Sequence, residues 1–274
     1  MNNVEIYYFS GTGNSLHIAK ELQGLIPETK LIPIVSLLDQ TTIETNAEKI
    51  GFVFPTYLTT VPAPVRVFID KLDLRSSKYI FSITTRIGTM CVSNTFIKKA
   101  LKKKGKNLDS SFIINMANNS PTGLKPFGDK NWPSKITKEK IAELEYEAQL
   151  KLKFIKECII NTKKHLEEEN FVTSIMEKVM SLMTKNIKSE IAFCADLSCN
   201  GCGVCEKICL SKKIEMVDNR PIWKKEAQCY FCYACFNFCP MQSIMVGKLY
   251  SYKNGRYSYP GITADEIEKQ KFKG

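Results

Sequence analysis

The chain has 274 residues, 44% of them hydrophobic, and 39 Lys and Arg against 28 Asp and Glu give it a formal net charge of +11. Such a composition supports a buried core and excludes a disordered chain, and the length fits one ordinary domain with a smaller second one. No apolar run is long enough to span a membrane, and the N-terminal stretch shows neither the basic nor the apolar region of a secretory signal. A cytoplasmic, reducing location is therefore expected for the eleven cysteines. The basic balance suits acidic protein partners; no nucleic-acid motif accompanies it, so nucleic acid is not expected.

In chain order, Val4–Phe9 is a β-branched and aromatic run that reads as a buried strand. It ends in Ser10-Gly11-Thr12-Gly13-Asn14-Ser15, and a helical pattern follows to about Leu25. Strand, glycine- and hydroxyl-rich turn, then helix is a phosphate cradle. Glycine lets the backbone approach the anion, hydroxyls donate to it, and the helix start adds its dipole and free N–H groups. The loop is neither a Walker loop nor the dinucleotide G-x-G-x-x-G. An ordinary strand–helix turn is the plain alternative, and the segments that follow speak against it. Leu31–Val35 reads as a second strand, with Pro33 fitting an edge. Ile50–Phe54 reads as a third, with the loop Pro55-Thr56-Tyr57-Leu58 after it and a helix over Pro62–Leu72. Tyr79–Thr84 is a fourth strand, leading into a loop with Thr84, Thr85, Arg86 and Gly88. A helix over Asn94–Lys104 and a fifth strand over Phe112–Met116 complete the alternation. A long helix with one apolar face then runs from Ile141 through Ala148, Leu152, Ile155 and Ile159 to Leu166, with His165 on it. Five such units predict an α/β fold with a doubly wound parallel sheet.

The Ser10–Ser15 loop resembles the FMN phosphate loop of the flavodoxins, with Ser10, Thr12 and Ser15 at the hydroxyl positions. That resemblance covers about residues 1–168. It implies a five-stranded sheet of order 2-1-3-4-5 and a flavin at the carboxyl ends of strands 1, 3 and 4. It places Ser10, Gly11, Thr12, Gly13, Asn14 and Ser15 at the phosphate. It places Pro55, Thr56, Tyr57 and Leu58, with Thr84, Thr85, Arg86 and Gly88, beside the ring system. Tyr57 stands where flavodoxins put an aromatic against the isoalloxazine; the alternative is a surface tyrosine covering the loop. The loop after strand 4 departs from the family, since it has no aromatic and carries a cation, Arg86. Near the N1/C2 edge Arg86 would favour the reduced flavin; pointing away, it is a solvated charge.

Residues 118–139, with Pro121, Pro126 and Pro133, make a long connection whose Phe127 and Trp132 suggest packing. Phe171–Ile187 is an amphipathic connector with Met176, Met180 and Met183. The lysines at 98, 99, 102, 103, 104 and 106 make a basic helix end that complements the helix dipole.

Eight cysteines fall in two runs: Cys199-x2-Cys202-x2-Cys205-x3-Cys209, then Cys229-x2-Cys232-x2-Cys235-x3-Cys239-Pro240. Three thiols two residues apart can wrap three corners of an iron–sulfur cube, and the fourth corner comes from elsewhere. Zinc uses C-x2-C pairs, but not a triple with an x3-Cys, twice over. The pattern resembles the bacterial two-cluster ferredoxins. There the fourth cysteine of each run serves the other cluster, which implies Cys199, Cys202, Cys205 and Cys239 for one 4Fe–4S cluster and Cys229, Cys232, Cys235 and Cys209 for the second. Leu210 stands where that pattern usually has proline. Cys91, Cys158 and Cys194 have no ligand spacing.

The expected organisation is a flavodoxin-like FMN domain at 1–168, a helical connector at 169–190, a small α+β ferredoxin domain at 191–247, and a tail at 248–274. The tail holds Tyr250, Tyr252, Tyr257 and Tyr259, with a short helix from Thr263. The whole resembles the flavodoxin–ferredoxin fusion proteins of anaerobic bacteria. It implies a low-potential electron carrier joining FMN and two 4Fe–4S clusters between redox proteins with acidic docking surfaces. The alternative is a flavin-dependent reductase fed by its own clusters. No His, Cys or carboxylate motif nominates a catalytic residue for it.

Overall fold

The computed structural model describes residues 3–57, 60–87, 93–119, 136–167, 193–246 and 256–273. The predicted connector over 171–187, Cys91, Leu58, Gly88 and most of the 118–139 connection lie outside these residues.

The alternation read from the sequence is present. The strands β1 (Val4–Tyr8), β2 (Thr29–Pro33), β3 (Lys49–Pro55), β4 (Tyr79–Arg86) and β5 (Ser110–Asn115) are interleaved with α1 (Asn14–Leu25), α2 (Ala63–Lys71) and α3 (Ser93–Lys103). All neighbours pair in parallel, in the order β2-β1-β3-β4-β5. The central strands are buried on both faces, as a doubly wound sheet requires. From Ile50 to Phe54 no side chain of β3 reaches solvent. Gly51 has a reason: a Cβ there would lie 2.2 Å from the Phe81 ring on the neighbouring strand. Helix α1 touches the long helix α4 (Lys138–Ile160), and α2 touches α3.

Two expectations need correction. The sheet has six strands rather than five, and the long helix α4 (Lys138–Ile160) stops before His165. Thr162 turns the chain in the left-handed region (φ 51°), and the Lys49 ammonium caps the carbonyls of Ile159 and Ile160 at 2.8 Å each. His165 and Leu166 then form β6 beside β5. The Lys163 carbonyl is held by the Tyr79 hydroxyl at 2.9 Å and the Ser110 hydroxyl at 2.8 Å, and the His165 ring stacks on Phe112. A periodicity of mixed threes and fours continues past a turn without penalty, so the pattern did not reveal the break.

The cysteine-rich part has little regular structure. β7 (Phe193–Ala195) pairs antiparallel with β10 (Ile244–Val246). β8 (Ile214–Val217) and β9 (Arg220–Trp223) form a hairpin. Its turn residues, Asp218 and Asn219, both have positive φ (47° and 59°), as a two-residue turn matched to strand twist demands. Two one-turn helices, α5 (Val204–Lys207) and α6 (Ala234–Asn237), each carry the third cysteine of a triple. A small core forms around Ile214, Tyr233, Phe236, Ile244 and Val246. This part also joins the large core of the sheet through Ile208, Leu210 and Ala234. The final segment adds Ile262 and Ile267 and carries α7 (Ala264–Glu268), which starts with a Thr263–Glu266 capping box.

Candidate functional site

Each cysteine run folds by the same local rules. Between the first three cysteines, Gly201 and Gly203 adopt left-handed φ of 72° and 74°; at the equivalent places of the second run, Phe231 and Tyr233 do so at 54° and 56°. Glycine takes this conformation freely, whereas an aromatic residue does so at a cost that its surroundings must offset. Tyr233 is almost fully buried and packs against Phe193 and Phe236. After each final cysteine the chain turns again, at Lys212 (φ 52°) and Gln242 (φ 50°). There the Lys213 N–H donates to Cys209 Sγ and the Ser243 N–H to Cys239 Sγ, each at 3.3 Å, while the Phe231 N–H donates to Cys229 Sγ at 3.4 Å. Backbone donors aimed at thiol sulfurs stabilise the charged thiolate.

Cys199, Cys202, Cys205 and Cys239 line one pocket. Cys209 stands instead with the second triple, close enough to act electrostatically on Cys229, Cys232 and Cys235. The tertiary structure thus brings each run's last cysteine to the other run's triple. Burial pushes Cys205 and Cys229 up to about 11 and Cys232 to about 12, and drives Cys235 well up, with neighbouring thiols adding to the shift. Thiols so placed are poor anions unless a cation neutralises them, which suits a metal cluster. Among the described residues no three His, Cys, Asp or Glu side chains are arranged for a single ion. Cys202 of the first triple is exposed, whereas Cys232 of the second lies against Gly11 at the end of β1, so the first site is the outer one and the second the inner.

The predicted phosphate loop lies at the carboxyl end of β1. Gly13 (φ 104°) starts α1 and supplies no side-chain cap, so the first N–H groups of the helix are left for another acceptor. Ser10, Thr12, Asn14 and Ser15 are all buried. Such a set of buried hydroxyls beside an uncapped helix start fits a phosphate. The surroundings differ from an open cradle. Ser15 Oγ pairs with Thr85 Oγ1 at 2.7 Å, Ser10 Oγ accepts from the Gly13 N–H, and Asn119 Nδ2 donates to Thr12 Oγ1 at 2.6 Å. The chain's last segment crosses over the loop. The Tyr259 N–H donates to the Thr12 carbonyl at 2.7 Å, and the Tyr257 hydroxyl to Asn14 Oδ1. Gln270, fully buried, clasps both backbone groups of Ser10 at 2.9 Å. A Cβ on Gly13 would meet Tyr259 and Ile262 within 3 Å.

The other predicted flavin residues are only partly gathered. Thr56 is tied to β4 through its N–H to the Thr85 carbonyl at 2.9 Å. Thr84 is buried and its hydroxyl has no partner among the described residues. Arg86 ends β4, half-exposed, with Nε 3.4 Å from Asn115 Oδ1. Tyr57 is directed toward the loop and the second cysteine run: a Cβ on Gly11 would lie 2.5 Å from the Tyr57 hydroxyl and 2.6 Å from Cβ of Cys232. Phe9 takes Tyr57 and Tyr230 edge-on, each at 6.0 Å.

Sequence reading missed Asn119, Gln270, His17 and Glu145 as members of this region. Tyr259 stacks on His17, and its hydroxyl donates to Glu145 Oε2 at 2.8 Å, while His17 Nε2 lies 2.9 Å from Glu145 Oε1. The tyrosine-rich tail was the only signal that pointed there. Cys158 is an inert buried residue of α4, and Cys194 is exposed on β7.

Residues 198–244 match the family described as the 4Fe-4S dicluster domain. Together with the sheet order, this defines a flavodoxin-like α/β unit joined to a 4Fe-4S dicluster domain. No curated protein matches the chain. Among solved structures, the chain is similar to an azoreductase from Bacillus anthracis str. Sterne, at 16% identity over 56% of this chain and 100% of that one, TM-score 0.34. It is similar to rubredoxin oxygen:oxidoreductase from the anaerobe Desulfovibrio gigas, at 12% identity over 58% of this chain and 37% of that one, TM-score 0.33. A protein of Bacteroides uniformis described as a flavoprotein matches at 14% identity over 42% of this chain and 91% of that one, TM-score 0.32. Among the described residues no helix is long and apolar enough to cross a membrane.

Proposed function

We propose that this chain is an electron carrier holding two 4Fe–4S clusters and FMN. Cys199, Cys202, Cys205 and Cys239 would hold the outer cluster; Cys229, Cys232, Cys235 and Cys209 would hold the inner one. Ser10, Thr12, Ser15 and the start of α1 would hold the FMN phosphate, with 55–58 and 84–88 bordering the ring. Clusters exchange single electrons and FMN one or two. The observation that carries the reading is the placement of Cys232 against Gly11 of the phosphate loop, with Tyr230 and Tyr57 both edge-on to Phe9. The inner thiols and the loop exclude water from their common boundary, while the outer pocket faces solvent, where a redox partner can dock. The net charge of +11 favours partners with acidic surfaces, and cytoplasmic residence suits the free thiols. The proposed organisation keeps the boundaries 1–168, 169–190, 191–247 and 248–274.

Anaerobic purification with metal, sulfide and flavin quantified tests the reading. About eight iron and eight sulfide are expected per chain, as two cubes require, with one FMN. Two zinc ions and no sulfide would overturn it, and iron without flavin would reduce it to a ferredoxin on an empty flavodoxin-like fold.

A further inference from the structure

Where the inner thiols meet the sheet, a tyrosine hydroxyl stands without a partner. The Tyr57 oxygen is shut off from solvent and makes no hydrogen bond among the described residues. It shares one small space with the inner cysteine run, since a Cβ on Gly11 would touch both it, at 2.5 Å, and the Cβ and carbonyl oxygen of Cys232, at 2.6 Å each. The Gly11 N–H also faces its oxygen. An N–H can engage only the oxygen's lone pairs, so the O–H proton still has no acceptor among the described residues. The side chain is not free to turn away. Its ring is fixed edge-on against Phe9, and its backbone pairs with Thr60 in both directions, at 3.0 and 3.2 Å. A buried donor with no acceptor is costly, and in a native protein it calls for a partner. The acceptor that the proposed function supplies at this spot is sulfur.

We infer that the Tyr57 hydroxyl donates a hydrogen bond to the sulfur shell of the inner cluster, the one assigned to Cys229, Cys232, Cys235 and Cys209. The inference rests on the electron-carrier reading above. It makes Tyr57, at the end of β3, a positioning residue that tunes a cluster held by another part of the chain. A donor to sulfur favours the more negative, reduced cluster, so it raises the cluster's reduction potential. The loop after β3 also borders the proposed flavin, so a shift of this loop would alter the cluster's potential.

The test compares wild type with Tyr57→Phe. Both are prepared anaerobically, stripped of flavin, assayed for iron and sulfide, and titrated potentiometrically with the clusters followed by EPR. Cys239→Ala, expected to lose the outer cluster, assigns the inner signal. At equal iron content, the inner potential is expected to fall in Tyr57→Phe while the outer one stays. Site-specific 3-fluorotyrosine at position 57, a stronger donor of nearly the same size, is expected to move the inner potential up. Unchanged potentials in both variants would overturn the inference while leaving the carrier reading intact. Unchanged potentials with a loss of FMN affinity would also overturn it and assign the hydroxyl to the flavin phosphate. Wild-type protein carrying zinc and no sulfide would overturn the carrier reading itself, and this inference with it.

Discussion

At the scale of single residues, Leu210 shows how one departure from a motif finds its reason in packing. Proline at this place shapes the turn after the ligand in the pattern that the second run keeps with Pro240. Leu210 is only 2% exposed and belongs to the large core with Ile208 and Ala234. The first run therefore exchanges a rigid turn for an apolar anchor on the sheet. Leu210→Ala should destabilise the holoprotein by about 2–5 kcal/mol, as measured by chemical denaturation under anaerobic conditions. A loss below about 1 kcal/mol would show that the side chain is not an anchor. In the proposed flavin site, Thr12 is a buried hydroxyl residue of the loop that would donate to the phosphate. Thr12→Ala should weaken FMN by about 1–3 kcal/mol in calorimetric titration, the scale of a lost hydrogen bond to a charged group. The same loop predicts that riboflavin, which lacks the phosphate, binds far more weakly than FMN; equal affinities would remove the loop from the site.

At the scale of elements, the two cysteine runs are one device used twice, with glycines at the left-handed positions of the first and Phe231 and Tyr233 at those of the second. The aromatic pair takes these strained positions while packing into the small core of the cysteine-rich part. Because the outer pocket is completed by Cys239, Cys239→Ala should remove the EPR signal of the cluster assigned to Cys199, Cys202 and Cys205 and spare the other. Loss of the cluster nearer in sequence would reverse the assignment. β6 illustrates the opposite case, an element of two residues whose only support is tertiary: the Lys163 carbonyl held by Tyr79 and Ser110, and the His165 ring on Phe112.

At the scale of the molecule, residues 256–273 hold the two halves together. Arg256 lies over the Phe236 ring and donates to the carbonyls of Phe236, Gln242 and Ile244, so the segment is anchored on the cysteine-rich part. Tyr259 and Gln270 then anchor it on the phosphate loop. One of these anchors is sensitive to pH. Burial by itself would raise the Glu145 carboxyl, but hydrogen bonds from Gln149, Tyr259 and His17 take it below its ordinary value. A carboxylate lowered on folding stabilises the fold above its ordinary value, and that contribution is lost as pH falls through the lowered one. Hydrogen exchange of residues 256–273 should therefore quicken in acid, below the ordinary carboxylate range, before the central sheet opens. Equal acceleration in Glu145→Gln and wild type would rule out this carboxylate as the cause.

The sequence by itself determined the chemistry that depends on neighbours in the chain. Cysteine spacing is local, because a short loop either wraps a cube or does not. The Ser10–Ser15 loop is local for the same reason, since strand, glycine and helix start are contiguous. Alternating strand and helix signals were enough for a parallel, doubly wound sheet, while its strand order came from the flavodoxin resemblance of the loop and the segments after it. Only the tertiary structure decided what depends on distance across the fold. It brought Cys239 to the first triple and Cys209 to the second, and it laid Tyr257, Tyr259 and Gln270 over the loop. It also turned the Tyr57 hydroxyl toward Cys232. These contacts join residues 20 to 260 positions apart, and no spacing rule specifies them all. They are selected by which arrangement buries Ile208, Leu210 and Ile262 against the sheet while giving buried polar groups their partners.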